Sequence, residues 1–74
     1  MTVYVLVSYD RYDDQTNVDG VFACLESAMA WATALEESEP KHVSPLQWRS
    51  YQNGDASAVG HYRGYEVRAM EVRA

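Results

Sequence analysis

The chain has 74 residues, 47% hydrophobic content and a formal net charge of −5. A chain of this length can build a single hydrophobic core, so we expect one domain spanning residues 1–74. The acidic balance argues against direct binding of nucleic acid, because neutralising phosphates requires a basic surface. No run approaches the roughly 18 consecutive apolar residues of a membrane span, so we expect no membrane partner.

The cysteine count limits how so small a domain can be stabilised. A core in a chain below about 70–80 residues rarely supplies more than ~3–5 kcal/mol, and disulfides, metals or partner subunits often add to it. The single cysteine, Cys24, excludes an internal disulfide. We therefore expect a homo-oligomer, and the lone cysteine indicates the cytoplasm as the compartment.

Charge is unevenly distributed along the chain. Residues 1–40 contain eight carboxylates and a single Lys or Arg, Arg11, whereas residues 41–74 contain three carboxylates and five such cations. This asymmetry predicts a folded molecule with one acidic side and one side that tolerates anions.

Residues 3–7 predict the first strand. They read Val-Tyr-Val-Leu-Val, so that three valines lie on one side and Tyr4 and Leu6 on the other. Because both sides are apolar, we expect this strand to be covered on both faces. A polar stretch ending at Asp19-Gly20 follows, and Val21-Phe22 predicts a short return strand.

Residues 25–37 predict one amphipathic helix that lies on a sheet. Its apolar stripe consists of Leu25, Ala28, Met29, Ala32 and Leu35, with Trp31 at one edge. This spacing is typical of a helix with one buried face. Pro40 ends the helix because proline disfavours helical geometry at the preceding residue. We expect Cys24 to be buried where the helix begins.

Asn53-Gly54 predicts a β-hairpin with a two-residue turn. In the resulting register Trp48 faces Val59 and Leu46 faces His61, while the reverse face carries Arg49, Tyr51, Ala56 and Ala58. The last predicted strand covers residues 65–72, where a change in the apolar alternation predicts a bulge near Ala69.

Together these elements predict an α+β fold. We expect an antiparallel sheet of four or five strands with one amphipathic helix packed on one face, in the order β-β-α-β-β with a fifth strand if Gly64 ends one strand and starts another.

Residues 15–26 follow the spacing of a calcium-binding loop. The matching positions are Gln15, Asn17, Asp19, Gly20 and Glu26. Gln15 stands where the motif requires a carboxylate, and a strand precedes the segment where the motif requires a helix. We therefore interpret the segment as a hairpin loop and a helix start, and expect no metal site.

A group of carboxylates predicts a surface for a basic partner. Its residues are Asp10, Asp13, Asp14, Glu36, Glu37 and Glu39. Carboxylates near the C-terminal end of a helix oppose the helix dipole, and local rules are often broken at functional sites. The alternative interpretation is a solvated helix end, partly relieved by Lys41 and His42.

A second group interleaves cations with aromatic rings. Its residues are Arg49, Tyr51, His61, Arg63, Tyr65 and Arg68. Such a combination can stack bases and hold phosphates, so it predicts a pocket for a nucleotide-like anion. The alternative is a polar sheet face with extended arginine side chains.

The sequence indicates no catalytic constellation. Cys24 could pair with His42 or His61 as nucleophile and base, but no orienting group or signature accompanies either pair. The same three residues lack the spacing of a zinc site. We therefore predict that the protein is not an enzyme and needs no cofactor.

Three blocks of the sequence resemble a known group of proteins. They are VYVLVSYD at 3–10, then GVF at 20–22 leading into LESA at 25–28 and WA at 31–32, and YEVRAMEV at 65–72. These blocks, about half of the chain, resemble short uncharacterised α+β proteins of bacteriophages and bacteria. The resemblance implies a small scaffold that works by binding, in the host cytoplasm if phage-encoded, and no specific activity. The hairpin over residues 48–62 departs from that group.

Three functions follow as hypotheses. The first is a non-enzymatic binding protein, such as a phage-type inhibitor, acting through its acidic half on a basic host protein. The second is an oligomeric sponge that sequesters a nucleotide-like anion. The third is a structural or assembly subunit whose apolar strand faces serve to pack.

Overall fold

A computed structural model describes residues 1–10, 15–39, 45–60 and 63–73. The elements in chain order are β1 (Thr2–Asp10), β2 (Thr16–Phe22), α1 (Leu25–Glu37), β3 (Arg49–Ser50), β4 (Ala56–Val59) and β5 (Arg63–Glu71). The strands form one antiparallel sheet in the order β2-β1-β5-β4-β3. The predicted α+β fold with one helix on a sheet is therefore confirmed.

The central pair of strands, β1 and β5, forms the longest ladder in the sheet. Pairing runs from Thr2 opposite Glu71 to Asp10 opposite Arg63 without a shift in register. The bulge predicted near Ala69 is therefore wrong. The apolar alternation changes there because Met70 lies on the exposed side of the strand.

The irregularity in the sheet lies in β2. Gly20 lies opposite Leu6 and Val18 lies opposite Val7, so that Asp19 is one extra residue on the edge strand. Such a bulge bends an edge strand and disrupts its exposed row of hydrogen-bonding groups.

Helix α1 covers one face of the sheet. Ala28 and Ala32 are fully buried, and their small side chains let the helix approach the strands closely. The core is completed by Leu6, Ala56, Tyr65 and Val67, with Tyr4, Phe22, Leu25, Leu35, Leu46 and Trp48 packed around it. Burial of these apolar side chains supplies the main driving force for folding.

The sheet face opposite α1 is left uncovered by the described elements. The valines of β1 alternate with the buried Leu6 and Ser8, and so lie on this second face. Their neighbours Val18 and Val21 remain 68% and 62% exposed. The expectation that β1 is covered on both faces is thus wrong for the single chain.

The hairpin between β3 and β4 has a register one residue away from the predicted one. Arg49 pairs with Ser57 and Ser50 pairs with Ala56. The Gly54 N–H donates to the Tyr51 carbonyl, the Tyr51 N–H donates to the Asp55 carbonyl, and Gly54 has φ of +93°. These bonds define a three-residue loop with a bulged glycine instead of a two-residue turn.

This register changes which residues share a face. Ala56 and Ala58 are buried under α1, whereas Arg49 and Tyr51 belong to the opposite face. A shift by one residue moves every side chain of a strand to the other side of the sheet. The predicted pairing of Leu46 with His61 lies outside the described residues.

We predict that Gly54→Ala lowers the free energy of unfolding by about 1–2 kcal/mol, because an alanine is strained at positive φ. The new Cβ would also lie 3.2 Å from the Ala69 Cβ. Urea denaturation measures the change, and Gln52→Ala, in the same loop, is the control. Equal midpoints for the two variants would contradict the assignment of the loop.

Candidate functional site

The uncovered side of the sheet is the candidate site, and we call it the open face. Strand register assigns its side chains, because alternate residues point to opposite sides. They are Val3, Val5, Val7 and Tyr9 of β1, Val18 and Val21 of β2, Glu66, Arg68 and Met70 of β5, Ser57 and Val59 of β4, and Arg49 with the adjoining Tyr51.

Four of these side chains form what we call the valine stripe: Val5, Val7, Val18 and Val21. Val5 lies opposite Val21, and Val7 lies opposite Val18, across the β1–β2 ladder. Met70 extends the apolar surface on β5 and is 53% exposed. Contiguous apolar surface of this kind on a small protein typically marks a contact site.

A single ion pair lies beside the valine stripe. The Arg68 Nε donates to the Glu66 Oε1 at 2.8 Å, and the two side chains are 60% and 36% exposed. The hydrogen bond and the negative charge of Glu66 raise the pKa of the Arg68 guanidinium, which therefore stays protonated. By register Glu66 is next to Val7 and Arg68 is next to Val5.

A shallow groove of about 750 Å³ crosses the other part of the open face. Its lining consists of Tyr9, Tyr51, Gln52, Asn53, Asp55, Ser57 and Glu66. The Tyr9 ring lies across Gly64, where any Cβ would collide with it, and the Tyr51 hydroxyl is 3.0 Å from the Ser57 Oγ. The described lining residues include two carboxylates and no Lys or Arg, so their chemistry does not favour an anion.

The predicted anion pocket is divided by the sheet. Arg49, Tyr51 and Arg68 belong to the open face, whereas Arg63 and Tyr65 belong to the helix side. His61 lies outside the described residues. Five of the predicted residues therefore do not line one pocket, because neighbouring positions along a strand point in opposite directions.

Tyr65 is the least accessible of the described residues in that group. It is fully buried, and its hydroxyl donates to the Glu36 Oε1 at 3.3 Å. Burial, followed by the negative charge of Glu36, raises the pKa of the Tyr65 phenol far above its usual value near 10. Tyr65 is thus a structural residue that places a hydroxyl against a carboxylate inside the domain.

The predicted acidic surface is also rearranged. Glu36 is only 2% exposed and packs against Gly60, where a Cβ would collide with the carboxylate. Glu39 lies 3.7 Å from the Arg63 Nε, while Glu37 and Asp10 are exposed. Asp13 and Asp14 lie outside the described residues. Glu36 therefore cannot contribute to a surface for a basic partner.

A signal for the burial of Glu36 is present in the sequence. Ala28, Ala32 and Glu36 are spaced four residues apart, which puts them on one face of the helix. The stripe traced by the apolar residues alone stops at Leu35 and misses this continuation. The result is a polar cluster at one end of the core, in which Ser8 is also buried.

The geometry around residues 15–26 argues against calcium binding. Residues 16–22 are a strand, so Asn17 and Asp19 belong to extended backbone and not to the turns of a calcium-binding loop. Among the described residues no group of three His, Cys, Asp or Glu side chains could hold a metal ion. Cys24 is exposed at the start of α1, with its Sγ 3.0 Å from the Ser27 Oγ, so its predicted burial is wrong.

Comparison of the sequence and structure with protein-family models, curated proteins and solved structures finds no match. The resemblance to short phage and bacterial proteins thus stays a prediction. Within the described ranges, no helix has the length and apolar character needed to cross a membrane.

We predict that Glu36→Ala lowers the free energy of unfolding by about 1–3 kcal/mol, because it leaves the buried Tyr65 hydroxyl without its acceptor. Glu37→Ala removes a neighbouring carboxylate from an exposed position and is expected to change stability by less than about 0.5 kcal/mol. Denaturation of both variants measures the difference. Equal effects would contradict the burial of Glu36.

Alkaline pH tests the environment of Tyr65. Its pKa is raised on folding, so this contribution to stability is complete below pH 10 and is lost progressively as the pH rises above that value. We therefore expect the wild type to lose more stability than Tyr65→Phe between pH 8 and about 11.5. Tyr51→Phe changes an exposed ring and should lose stability with rising pH as the wild type does. An equal reduction of this pH dependence in both variants would contradict the raised pKa of Tyr65.

Proposed function

We propose that this protein is a non-enzymatic binding protein whose contact surface is the open face of the sheet. The observation that carries this proposal is the valine stripe, in which Val18 and Val21 are exposed and Val5 and Val7 are half-buried, beside the ion pair of Arg68 and Glu66. Burial of apolar surface is the dominant favourable contribution to most protein associations. A partner that covers this face removes its apolar side chains from water, which favours binding.

The shape of the open face favours a polypeptide partner over a small molecule. Small-molecule sites are concave and enclose most of their ligand. The groove beside Tyr9 and Tyr51 is shallow and open, and its carboxylates oppose a phosphate. The hypothesis of a nucleotide sponge also required Arg63 and Tyr65 in the pocket, and both belong to the helix side of the sheet.

The acidic side of the molecule adds a second property to the proposed function. Residues 25–39 of the chain contain four glutamates and no Lys or Arg, and Glu26 and Glu37 are exposed. A surface of one sign steers a partner of the opposite sign and disfavours partners of the same sign. A basic host protein thus remains the partner that we propose, and the lone cysteine keeps the cytoplasm as the proposed compartment.

The proposal predicts that Val21→Lys abolishes binding to the host partner, because it buries an unpaired charge at the contact. Val21 is well suited because it is 62% exposed and belongs to an edge strand. Ala30→Lys, on the exposed side of α1, is the matched control. Tagged forms of both variants and the wild type are recovered from the natural host, and co-purified proteins are quantified by mass spectrometry.

We expect the wild type and Ala30→Lys to retain the same partner. The recovered amount of this partner should be at least about tenfold lower with Val21→Lys. Circular dichroism verifies that all three forms keep the same fold. Equal recovery of every partner by the two lysine variants would contradict the proposed contact surface.

A further inference from the structure

We propose that a second copy of this chain occupies the open face, packed face to face about a two-fold axis. The axis lies in the plane between the two sheets, perpendicular to the strands, at the level of Leu6 and Val67. This inference rests on the proposed function, and it makes a second copy, in place of a host protein, the polypeptide that covers the same surface. It follows from the register of β1, β2 and β5.

The charges on the open face match under this operation. Leu6 pairs with Val67, and the axis lies at the level of this pair. It therefore exchanges the row of Val5 and Arg68 with the row of Val7 and Glu66. Glu66 then faces the partner's Arg68, and Arg68 faces the partner's Glu66. Such reciprocal contacts define an interface made from the same patch on both subunits. Four alternating charges replace the isolated Arg68–Glu66 pair of one chain.

The apolar residues match under the same operation. The operation exchanges the row of Val5 with the row of Val7. Val5 therefore faces the partner's Val7, and Val21 faces the partner's Val18. On the next rows Met70 faces the partner's Gly64, over which the Tyr9 ring of that copy lies. The valine stripes of the two copies therefore cover each other.

A two-fold axis parallel to the strands gives a poorer match. If the axis follows β5, each Glu66 faces the partner's Glu66. If it follows β1, strand β5 lies over the partner's β2, and Glu66 and Arg68 face valines. Juxtaposed like charges cost several kcal/mol, and charges buried against apolar side chains are also costly. The perpendicular axis is therefore the one that we propose.

The size of the open face reaches the lower limit for a specific contact. Strands β1 and β5 have nine residues each, which gives a length of about 30 Å at ~3.4 Å per residue. With the strands about 4.8 Å apart, the sheet offers an area of about 500 Å² per copy. The total of about 1,000 Å² is the flat footprint of both sheets and lies at the lower limit for a specific interface. Two such sheets pack about 10 Å apart.

The composition of the core agrees with stabilisation by a partner copy. Of the five largest fully buried side chains, only Tyr65, Leu6 and Val67 are hydrophobic, and the helix contributes alanines to the core. A chain of this size gains stability from a second subunit when its own core is small.

Charge reversals at the ion pair test this arrangement. The wild type is expected to be a dimer by sedimentation and native mass spectrometry at micromolar concentration. Glu66→Arg and Arg68→Glu should each raise the dimer dissociation constant at least about tenfold, because each puts four like charges at the contact. Mixing the two variants should produce a heterodimer in preference to either homodimer. Neither variant has the ion pair within its own chain, so this preference reports contacts between chains.

Lysine variants provide the control. Val21→Lys should give a monomer, whereas Ala30→Lys should dimerise as the wild type does. A dimer that survives Val21→Lys, or a mixture of charge variants without heterodimer preference, would overturn the arrangement. A monomeric wild type would overturn it too, while a host protein lost only with Val21→Lys would still support the proposed function.

Discussion

Two long antiparallel strands determine the rest of this structure, because they send alternate side chains to opposite sides of one sheet. In β1 and β5 the side that contains Leu6 and Val67 is covered by α1, and the side that contains Val5 and Arg68 is not. A chain with one described helix can cover one face of a five-stranded sheet. The apolar valines on the second face are therefore the feature that most needs a partner.

The helix side combines apolar packing with a buried polar contact. Ala28 and Ala32 allow close packing in the middle of α1, and Glu36 continues the same line to Tyr65 at its end. A buried carboxylate is tolerated when it is hydrogen-bonded, since an unpaired one costs several kcal/mol. This arrangement removes Glu36 from the acidic surface and leaves Glu37 and Asp10 at the exterior.

The order of the elements was predictable from periodicity and turn residues. The side of the sheet on which each residue lies was less predictable. The valines at alternate positions in β1 predicted a strand with two apolar sides, and the register confirms their placement. Asn53-Gly54 is compatible with two turn geometries of different length, and the wrong choice reversed the faces of Ala56 and Ala58. The predicted ligand residues combined odd and even positions of β5, so a regular strand separates Tyr65 from Arg68.

The most direct test of the contact surface is an isotope-filtered NMR measurement on an equal mixture of labelled and unlabelled protein. Methyl contacts between Val5 of one chain and Val7 of the other are expected, since both valines lie on the rows exchanged by the proposed axis. Intermolecular contacts confined to residues of α1, or a complete lack of intermolecular contacts at millimolar concentration, would contradict a dimer formed through the open face.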